Sequence, residues 1–398
     1  MRALTLLTLT ITLIFMALGC NDSVDPNEDG DVDVVETDGD VQPDGDDDPA
    51  VDGDDTDVIE TVDGDTAGEE DLDTVDGDVA EETAADPDPE PDPEPDIVDG
   101  DVDVVDNIDS NVSPACAALI DGTNNNFMVD GAARQFILTI PTAADTGAPV
   151  AVIFNWHGFG DTASNMNGLF SYSVNNASMP YILVTPEDLN VAPPGGFDWD
   201  ALKAQEPNQE VRLFDEVLNC LHERWNIDDN HIHSAGFSAG SIMTDLLGTM
   251  RGDVMASLLT YSGVYWSNPA NKASLNLMLQ GYIGWPEMTT TNHYAHVFLH
   301  GGPTDNYNLF VDVIQFNEFA VSDAAWLNGR GHDTVVCDHS LANTYVNASD
   351  GHTLPSQFRA TQIIEFFAAH PKGTHVSPYR TDGLPADFPD FCVFQQAQ

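Results

Sequence analysis

A long acidic tract, from Asn21 to Ser110, limits where this chain can build a hydrophobic core. It holds 39 of the 68 Asp and Glu residues and contains no Lys, Arg or aromatic residue. Such a segment cannot bury enough apolar surface to offset its chain entropy, and its like charges repel one another. We therefore predict a disordered acidic spacer over residues 21–112 and a folded domain confined to residues 113–398.

One stretch of this spacer, residues 25–36, matches the calcium-loop pattern D-x-N-x-D-G-x5-E of an EF-hand. No amphipathic helix flanks it, and acidic repeats that contain glycine produce such matches by chance. We expect weak condensation of cations on the spacer and no specific metal site or cofactor in the protein. A calcium-dependent envelope protein is the alternative interpretation of the tract.

The first twenty residues have the pattern of an export signal. Arg2 provides a positive charge, residues 3–18 are apolar apart from threonines, and Gly19 precedes Cys20. A run this short is typical of a signal peptide rather than of a membrane-spanning helix. Residues 17–20 also resemble the cleavage box of bacterial lipoproteins. We expect residues 1–20 to be a lipoprotein-type signal and a lipid on Cys20 to anchor a secreted protein to the cell envelope. The alternative is an ordinary cleaved signal.

The folded domain is acidic and contains an even number of cysteines. The chain after the spacer contains 29 acidic and ten basic residues, and its sequence has no basic patch. Nucleic acid is therefore not an expected partner. Four cysteines in an exported protein predict two disulfides, with three pairings possible. These cysteines are Cys116, Cys220, Cys337 and Cys392.

Apolar strand patterns alternate with amphipathic helix patterns throughout the domain. The strand patterns cover residues 134–140, 150–156, 181–185, 231–236, 257–261, 295–299 and 334–337. The helical patterns cover residues 206–225, a segment beginning at 239, residues 311–327 and residues 357–370. This alternation predicts an α/β fold with a mostly parallel central sheet and helices on both faces. Ligands of such sheets bind at the carboxyl ends of the strands.

The segment Gly236-Phe237-Ser238-Ala239-Gly240 joins one predicted strand to a helix. A serine on so sharp a turn is exposed at the edge of the sheet, and the flanking glycines remove Cβ atoms that would clash there. The following helix aims its N-terminal N–H groups at any negative charge that develops nearby. We therefore predict Ser238 to be a nucleophile.

A serine nucleophile needs a base and an orienting acid, which follow it in the order Ser, acid, His in this class of fold. His352 lies in a loop just before the last long helix pattern, where the base is expected. Asp305 follows the strand pattern at 295–299 and is the preferred acid, with Asp338 as the alternative.

Two backbone N–H groups are needed to stabilise the negative oxygen of an acyl-transfer intermediate. We expect one from Ala239, directly after the nucleophile. The other is expected from the loop after the strand at 150–156, with Phe159 preferred and Gly160 as the alternative. His157 in the same loop is expected to brace it.

Four blocks together resemble the polyhydroxybutyrate depolymerase and feruloyl esterase family of α/β-hydrolases. Members carry H-G, G-x-S-A-G-G, H-G-x-x-D and G-H-x-W-P blocks in this order. The resemblance spans most of residues 135–370 and implies that fold, with Ser238 as nucleophile, Asp305 as acid and His352 as base. The matching blocks here are His157-Gly158, Gly236 to Gly240, His300-Gly301 with Asp305, and Gly351 to Pro355.

The sequence departs from the family pattern at three places. Ser241 replaces the second glycine of the elbow, which should not disturb catalysis. Asp305 comes one residue later than the H-G-x-x-D spacing, which keeps Asp338 as the alternative acid. Leu354 replaces the tryptophan before proline. That change alters the surface on which an acyl or sugar group would pack beside His352, so the family pattern leaves the choice among its ester substrates open.

These observations predict an extracellular carboxylic-ester hydrolase that acts on polymeric or oligomeric esters such as polyhydroxyalkanoate. A feruloyl or acetylxylan esterase is the alternative, and a non-catalytic surface binding module is a lesser one. The membrane is expected as a partner only through the lipid anchor. Aromatic residues in two segments, 193–199 and 261–266, either line the cleft or serve as rim packing.

Overall fold

The computed structural model describes residues 112–189, 198–202, 207–309, 312–342, 351–355 and 358–396. The predicted signal peptide with Cys20, the EF-hand-like loop and the spacer up to residue 111 lie outside the described residues. So do residues 193–197 of the predicted aromatic loop. Within the described part of the chain, no helix has the length and apolar character needed to span a membrane.

The described residues form eleven strands and nine α-helices. The strands are β1 Gly122–Val129, β2 Ala132–Thr139, β3 Val150–Trp156, β4 Tyr181–Pro186, β5 Ile227–Phe237, β6 Ser257–Tyr261, β7 Ala295–His300, β8 Asn306–Leu309, β9 Asp312–Gln315, β10 Thr334–Asp338 and β11 Cys392–Gln395. The helices are α1 Pro114–Ala117, α2 Ala163–Asn167, α3 Gln209–Arg224, α4 Ala239–Met250, α5 Pro269–Ala273, α6 Leu277–Tyr282, α7 Phe316–Asn328, α8 Ala360–Ala369 and α9 Tyr379–Asp382.

Nine of these strands form one sheet in the order β1-β2-β4-β3-β5-β6-β7-β10-β11. The six strands from β4 to β10 in this order run parallel to their neighbours. Antiparallel pairs occur only towards the edges, at β1–β2, β2–β4 and β10–β11. The predicted fold class, an α/β-hydrolase fold with a mostly parallel sheet, is confirmed.

The central strands are buried on both faces because helices cover the sheet from both sides. Every residue of β3, β4, β6 and β7 is buried, which explains their mostly apolar sequences. Alternate residues of β3 belong to two separate hydrophobic clusters. Helices α3, α4 and α7 contribute to one cluster, whereas α8 contributes to the other.

The prediction of a helix over residues 311–327 is wrong about where the helix begins. Helix α7 starts at Phe316, and Asp312–Gln315 forms β9, which pairs with β8 in an antiparallel hairpin. Asp312 therefore lies in a strand and not in a helix. The two adjacent β-branched residues Val313 and Ile314 favour a strand there, and only Ile314 is buried.

The sequence patterns do not predict the two edge strands of the sheet. Strands β1 and β11 are absent from the predicted elements, because β1 is rich in exposed asparagine and β11 is only four residues long. His370, which follows α8, is buried, and its ring bonds to the Phe366 carbonyl and the Ser377 hydroxyl. The two predicted disulfides are present, as Cys116–Cys220 and Cys337–Cys392.

Two carboxyl groups, from Asp245 of α4 and Asp323 of α7, are buried in the core. Asp245 accepts hydrogen bonds from the Ser267 hydroxyl (2.7 Å) and the Ser267 N–H (3.3 Å). Within the described residues, neither carboxyl oxygen of Asp323 has a hydrogen-bond partner. Burial raises the pKa of Asp245 to about 7. Burial and the neighbouring Asp245 raise the pKa of Asp323 well above its usual range. The pair therefore retains protons at a pH where unfolded aspartates are ionised.

This pair makes stability depend on pH. A carboxyl group whose pKa is raised in the folded state contributes its full stabilisation at pH values below its unfolded pKa of about 4. This stabilisation is lost as the pH rises through the folded pKa. We predict that Asp323→Asn is increasingly stabilising relative to the wild type as pH rises from about 5 to about 9. Thermal melting of both proteins across this range, followed by circular dichroism, measures the difference. The exposed Asp382→Asn is the matched control, and parallel melting curves for Asp323→Asn and wild type would contradict the prediction.

Candidate active site

Ser238 occupies a strained turn between the end of β5 and the beginning of α4. Its backbone has φ 53° and ψ −114°, a region that residues other than glycine rarely adopt. The Ser238 N–H donates to the Tyr261 carbonyl at 2.8 Å, and the Ser238 carbonyl accepts from the N–H groups of Ser241 and Ile242. Bonds to β6 and to the first turn of α4 therefore hold the serine in this conformation.

The turn requires glycine on both sides of Ser238. A Cβ atom on Gly236 would overlap the carbonyl oxygen of Gly240, and one on Gly240 would overlap that of Trp156. Ser241, which departs from the family pattern, places its hydroxyl 2.7 Å from the Gly236 carbonyl oxygen. A Cβ on Gly263 would lie only 2.6 Å from that of Ser241. Gly263 thus leaves the space that the Ser241 side chain fills.

The structure brings together the side chains of Ser238, His352 and Asp305, which are the predicted nucleophile, base and acid. His352 Nε2 lies 3.0 Å from Ser238 Oγ, and His352 Nδ1 lies 2.8 Å from Asp305 Oδ1. When Nδ1 carries the proton donated to Asp305, Nε2 is free to accept the serine proton. The imidazole ring lies between Phe237 and Phe316, at centroid distances of 5.0 and 4.8 Å. These contacts fix the ring plane.

Asp305 is fully buried, and both of its carboxyl oxygens accept hydrogen bonds. Besides the bond from His352 to Oδ1, Oδ2 accepts from the Ser262 hydroxyl at 2.7 Å and from the Gly301 N–H at 2.9 Å. Asp338, the alternative acid, instead accepts from the N–H (3.1 Å) and hydroxyl (2.6 Å) of Ser340. Asp305 rather than Asp338 is therefore the carboxylate in contact with His352.

Ser262 is a site residue that the sequence analysis did not identify. It follows β6 directly, is buried, and has a left-handed φ of 51°. Its N–H donates to the Leu299 carbonyl at 2.8 Å, which fixes the backbone from which the hydroxyl reaches Asp305. The only signal in the sequence was a serine just past a buried strand, which resembles an ordinary loop residue.

We predict that Ser262→Ala lowers kcat about tenfold with little change in KM, since it removes a bond that orients Asp305 but touches no substrate. Steady-state kinetics on a p-nitrophenyl ester measure the effect. Ser340→Ala, on the neighbouring Asp338, is the matched control. Equal kcat in wild type and Ser262→Ala would show that the bond does not support the reaction.

The loop after β3 lines the same cavity as Ser238, and hydrogen bonds to Asp198 and Trp199 hold it in place. The Gly160 N–H donates to Asp198 Oδ2 at 2.6 Å, so this donor is already occupied. The His157 carbonyl accepts from the Trp199 indole at 3.0 Å, and both rings are buried in contact with one another. Trp199 therefore supports the loop and does not lie at the mouth of the cleft. Phe159 and Ala239 both line the same cavity as Ser238.

That cavity has almost entirely apolar walls and measures about 430 Å³ when its open mouth is included. Ile242 of α4 and two residues after β6, Val264 and Trp266, contribute to it. Phe316 and the hairpin residues Tyr307 and Ile314 complete the lining. In the part of the chain that the structure describes, no group of three His, Cys, Asp or Glu residues is arranged to hold a metal ion.

Comparison with known proteins gives two curated relatives. No family model matches the chain. Feruloyl esterase D of Neurospora crassa is 26% identical over 153 residues, which cover 36% of this chain and 49% of that protein. Oxidized polyvinyl alcohol hydrolase of a Sphingopyxis species is 25% identical over 177 residues, covering 37% and 47%. The chain thus spans about half the length of the curated relatives it matches.

Solved structures share the fold at low sequence identity. The native crystal structure of a protein named pOPH has a TM-score of 0.52 and 17% identity, covering 71% of this chain and 96% of that one. The native structure of sOPH has a TM-score of 0.52 and 15% identity, covering 70% and 94%. Together with the curated relatives, these matches confirm the resemblance predicted from the sequence blocks.

Proposed function

We propose that this protein is a serine esterase that hydrolyses carboxylic esters through Ser238, His352 and Asp305. The observation that carries the proposal is the pair of hydrogen bonds that links the Ser238 hydroxyl to His352 and His352 to the buried Asp305 carboxylate. A serine hydroxyl is a weak nucleophile unless a base accepts its proton, and this arrangement supplies the base and its orientation.

The reaction proceeds in two halves. Ser238 Oγ attacks the ester carbonyl carbon while its proton passes to His352 Nε2, giving a tetrahedral intermediate with a negative oxygen. The N–H groups of Phe159 and Ala239 stabilise that oxygen. His352 then donates the proton to the departing alcohol, which leaves Ser238 acylated. Water, deprotonated by His352, attacks the acyl-enzyme, and the proton returns to Ser238 as the carboxylic acid leaves.

Asp305 orients His352 and stabilises its charged form without taking its proton. A buried carboxylate needs compensating hydrogen bonds, and Ser262 and Gly301 supply them to the oxygen that His352 does not contact. The acid is therefore held in one orientation during both halves of the reaction.

The proposed substrates are polymeric or oligomeric esters such as polyhydroxyalkanoate. The resemblance to polyhydroxybutyrate depolymerases supports this, as does similarity to a protein named oxidized polyvinyl alcohol hydrolase. Esters of plant polysaccharide are the second candidate, supported by the similarity to feruloyl esterase D. Release of acid from hydroxybutyrate oligomers, acetylated xylan and feruloylated xylan by the purified protein ranks these substrates. Failure to hydrolyse any ester, with the protein folded, would contradict the esterase proposal.

The proposed location is the bacterial cell envelope, at the outer membrane or the cell surface, with the domain held there by a lipid on Cys20. The apolar N-terminal segment, the box around Cys20 and the acidic spacer support this proposal, and two disulfides suit an oxidising compartment. Metabolic labelling with a radioactive fatty acid tests the anchor. Mature protein that carries no label would contradict it.

A further inference from the structure

We propose that the hairpin of β8 and β9 forms a wall of the acyl site and restricts the substrate to esters of short, uncharged acyl groups. This inference rests on the proposed esterase function, because it concerns the group that Ser238 would carry in the acyl-enzyme. It adds a specificity to that function which neither the sequence blocks nor the relatives supply.

The position of His352 identifies which half of the ester enters the cavity. The base must protonate the departing alcohol, so the alcohol oxygen has to lie beside His352 Nε2. The cavity next to Ser238 is lined by Phe159, Ala239 and other residues, and His352 is not among them. The acyl group therefore occupies the cavity. The alcohol half lies towards His352, whose side chain is 31% exposed, and can extend into solvent as part of a polymer.

The hairpin presents one face to this cavity. Tyr307 and Ile314 are directly opposite one another in its register, so their side chains share a face. Both line the cavity, and Ile314 is buried. Val313 alternates to the other face of the hairpin and is 52% exposed. Tyr307 and Ile314 thus form a wall of the acyl site, which we call the hairpin wall.

The base of the hairpin is attached to the catalytic side chains. The Phe316 N–H donates to the Asp305 carbonyl at 3.1 Å, which closes the base of the loop that carries β8 and β9. The Phe316 ring also stacks on His352, with the planes 20° apart. Any displacement of the hairpin wall would therefore disturb the acid and the base, so the wall cannot retreat freely to admit a larger acyl group.

The hairpin wall closes one side of a cavity that has no charged lining. None of the described residues that line it carries a charged side chain. An apolar acyl chain therefore finds apolar contacts there until it meets the hairpin wall. An acyl group with a second carboxylate would lose its hydration without gaining a partner.

The test compares acyl chain lengths in the full mature protein. We expect kcat/KM for p-nitrophenyl acetate and butyrate to exceed that for the octanoate by at least about tenfold. Ile314→Ala should raise the octanoate-to-acetate ratio by about tenfold, since it removes three carbons from the hairpin wall. Tyr307→Ala is the second variant and carries the test if Ile314→Ala does not fold, as judged by thermal melting. Val313→Ala, on the opposite face, is the matched control and should leave the ratio unchanged.

The outcomes separate this inference from the proposed function. A wild-type preference for octanoate, or an unchanged ratio in both folded variants, overturns the role of the hairpin wall while leaving the esterase intact. Efficient hydrolysis of a p-nitrophenyl succinate half-ester also overturns it. Absence of turnover on all of these esters by folded wild-type protein overturns the proposed function and this inference together.

Discussion

Ser238→Ala should lower kcat for p-nitrophenyl butyrate by about three to six powers of ten, with the protein still folded. The variant lacks the oxygen that attacks the carbonyl, whereas the backbone donors and the cavity remain. The residual rate then reflects binding and stabilisation of the negative oxygen alone. Steady-state kinetics measure the loss, and mass spectrometry after treatment with a fluorophosphonate should show one adduct on wild-type protein and none on the variant.

Ser178→Ala is the matched control for this substitution, because Ser178 is an exposed serine in a loop before β4. It should retain full activity and full labelling. Thermal melting of both variants separates a loss of chemistry from a loss of folding. Retention of more than about a tenth of wild-type kcat by Ser238→Ala would exclude a mechanism through this hydroxyl.

Arg134→Met should reduce the free energy of unfolding by about 3–5 kcal/mol. Arg134 of β2 and Glu210 of α3 form an ion pair at 2.6 Å, and both side chains are at most 2% exposed. Burial raises the pKa of Glu210 and the Arg134 guanidinium opposes this increase. Removing the arginine leaves a carboxylate in the core without its counter-charge, and desolvation of that charge is the main cost. Urea unfolding of wild type and variant measures the difference.

Two comparisons make this prediction specific. The double variant Arg134→Met with Glu210→Leu should recover most of the loss, because both charges are then replaced by apolar groups. Arg212→Met breaks half-exposed pairs with Asp130 and Glu216, both at 3.4 Å, and should cost about 1 kcal/mol or less. Equal losses in Arg134→Met and Arg212→Met would contradict the assignment of the effect to burial.

The centre of the sheet could be predicted from the sequence because its strands are buried on both faces. A residue pattern such as that of β3 or β6 is continuous and apolar, and few other structures accommodate it. The edge strands carry no such signal. β1 has a register shift of one residue between Asn124 and Phe127, and most of its exposed positions hold polar side chains typical of loops. The short hairpin of β8 and β9 was masked by the helical pattern of α7 that follows it.

Ser238, Asp305 and His352 could be predicted from the sequence. Their order along the chain and the neighbouring strands and helices restrict where a nucleophile, an acid and a base can lie in this fold. The choice of Asp305 over Asp338 needed the three-dimensional structure. The strands that lead to these two residues, β7 and β10, are parallel neighbours in the sheet, so either carboxylate could have reached His352. The role of Ser262 and the hairpin wall depend on contacts between segments distant in sequence. Periodicity describes only local structure and cannot reveal such contacts.

The disulfide between Cys116 and Cys220 determines how a pulling force on the N-terminal side of the domain is transmitted. Cys116 lies in α1, at the beginning of the folded domain, and its partner lies in α3 at a sequence separation of 104. Tension applied through the chain before the domain reaches Cys116 first and passes across the covalent bond into α3. The segment from residue 117 to residue 219, which includes β1 to β4, then carries no load. Such a force would therefore not peel β1 and β2 from the edge of the sheet while the disulfide is intact.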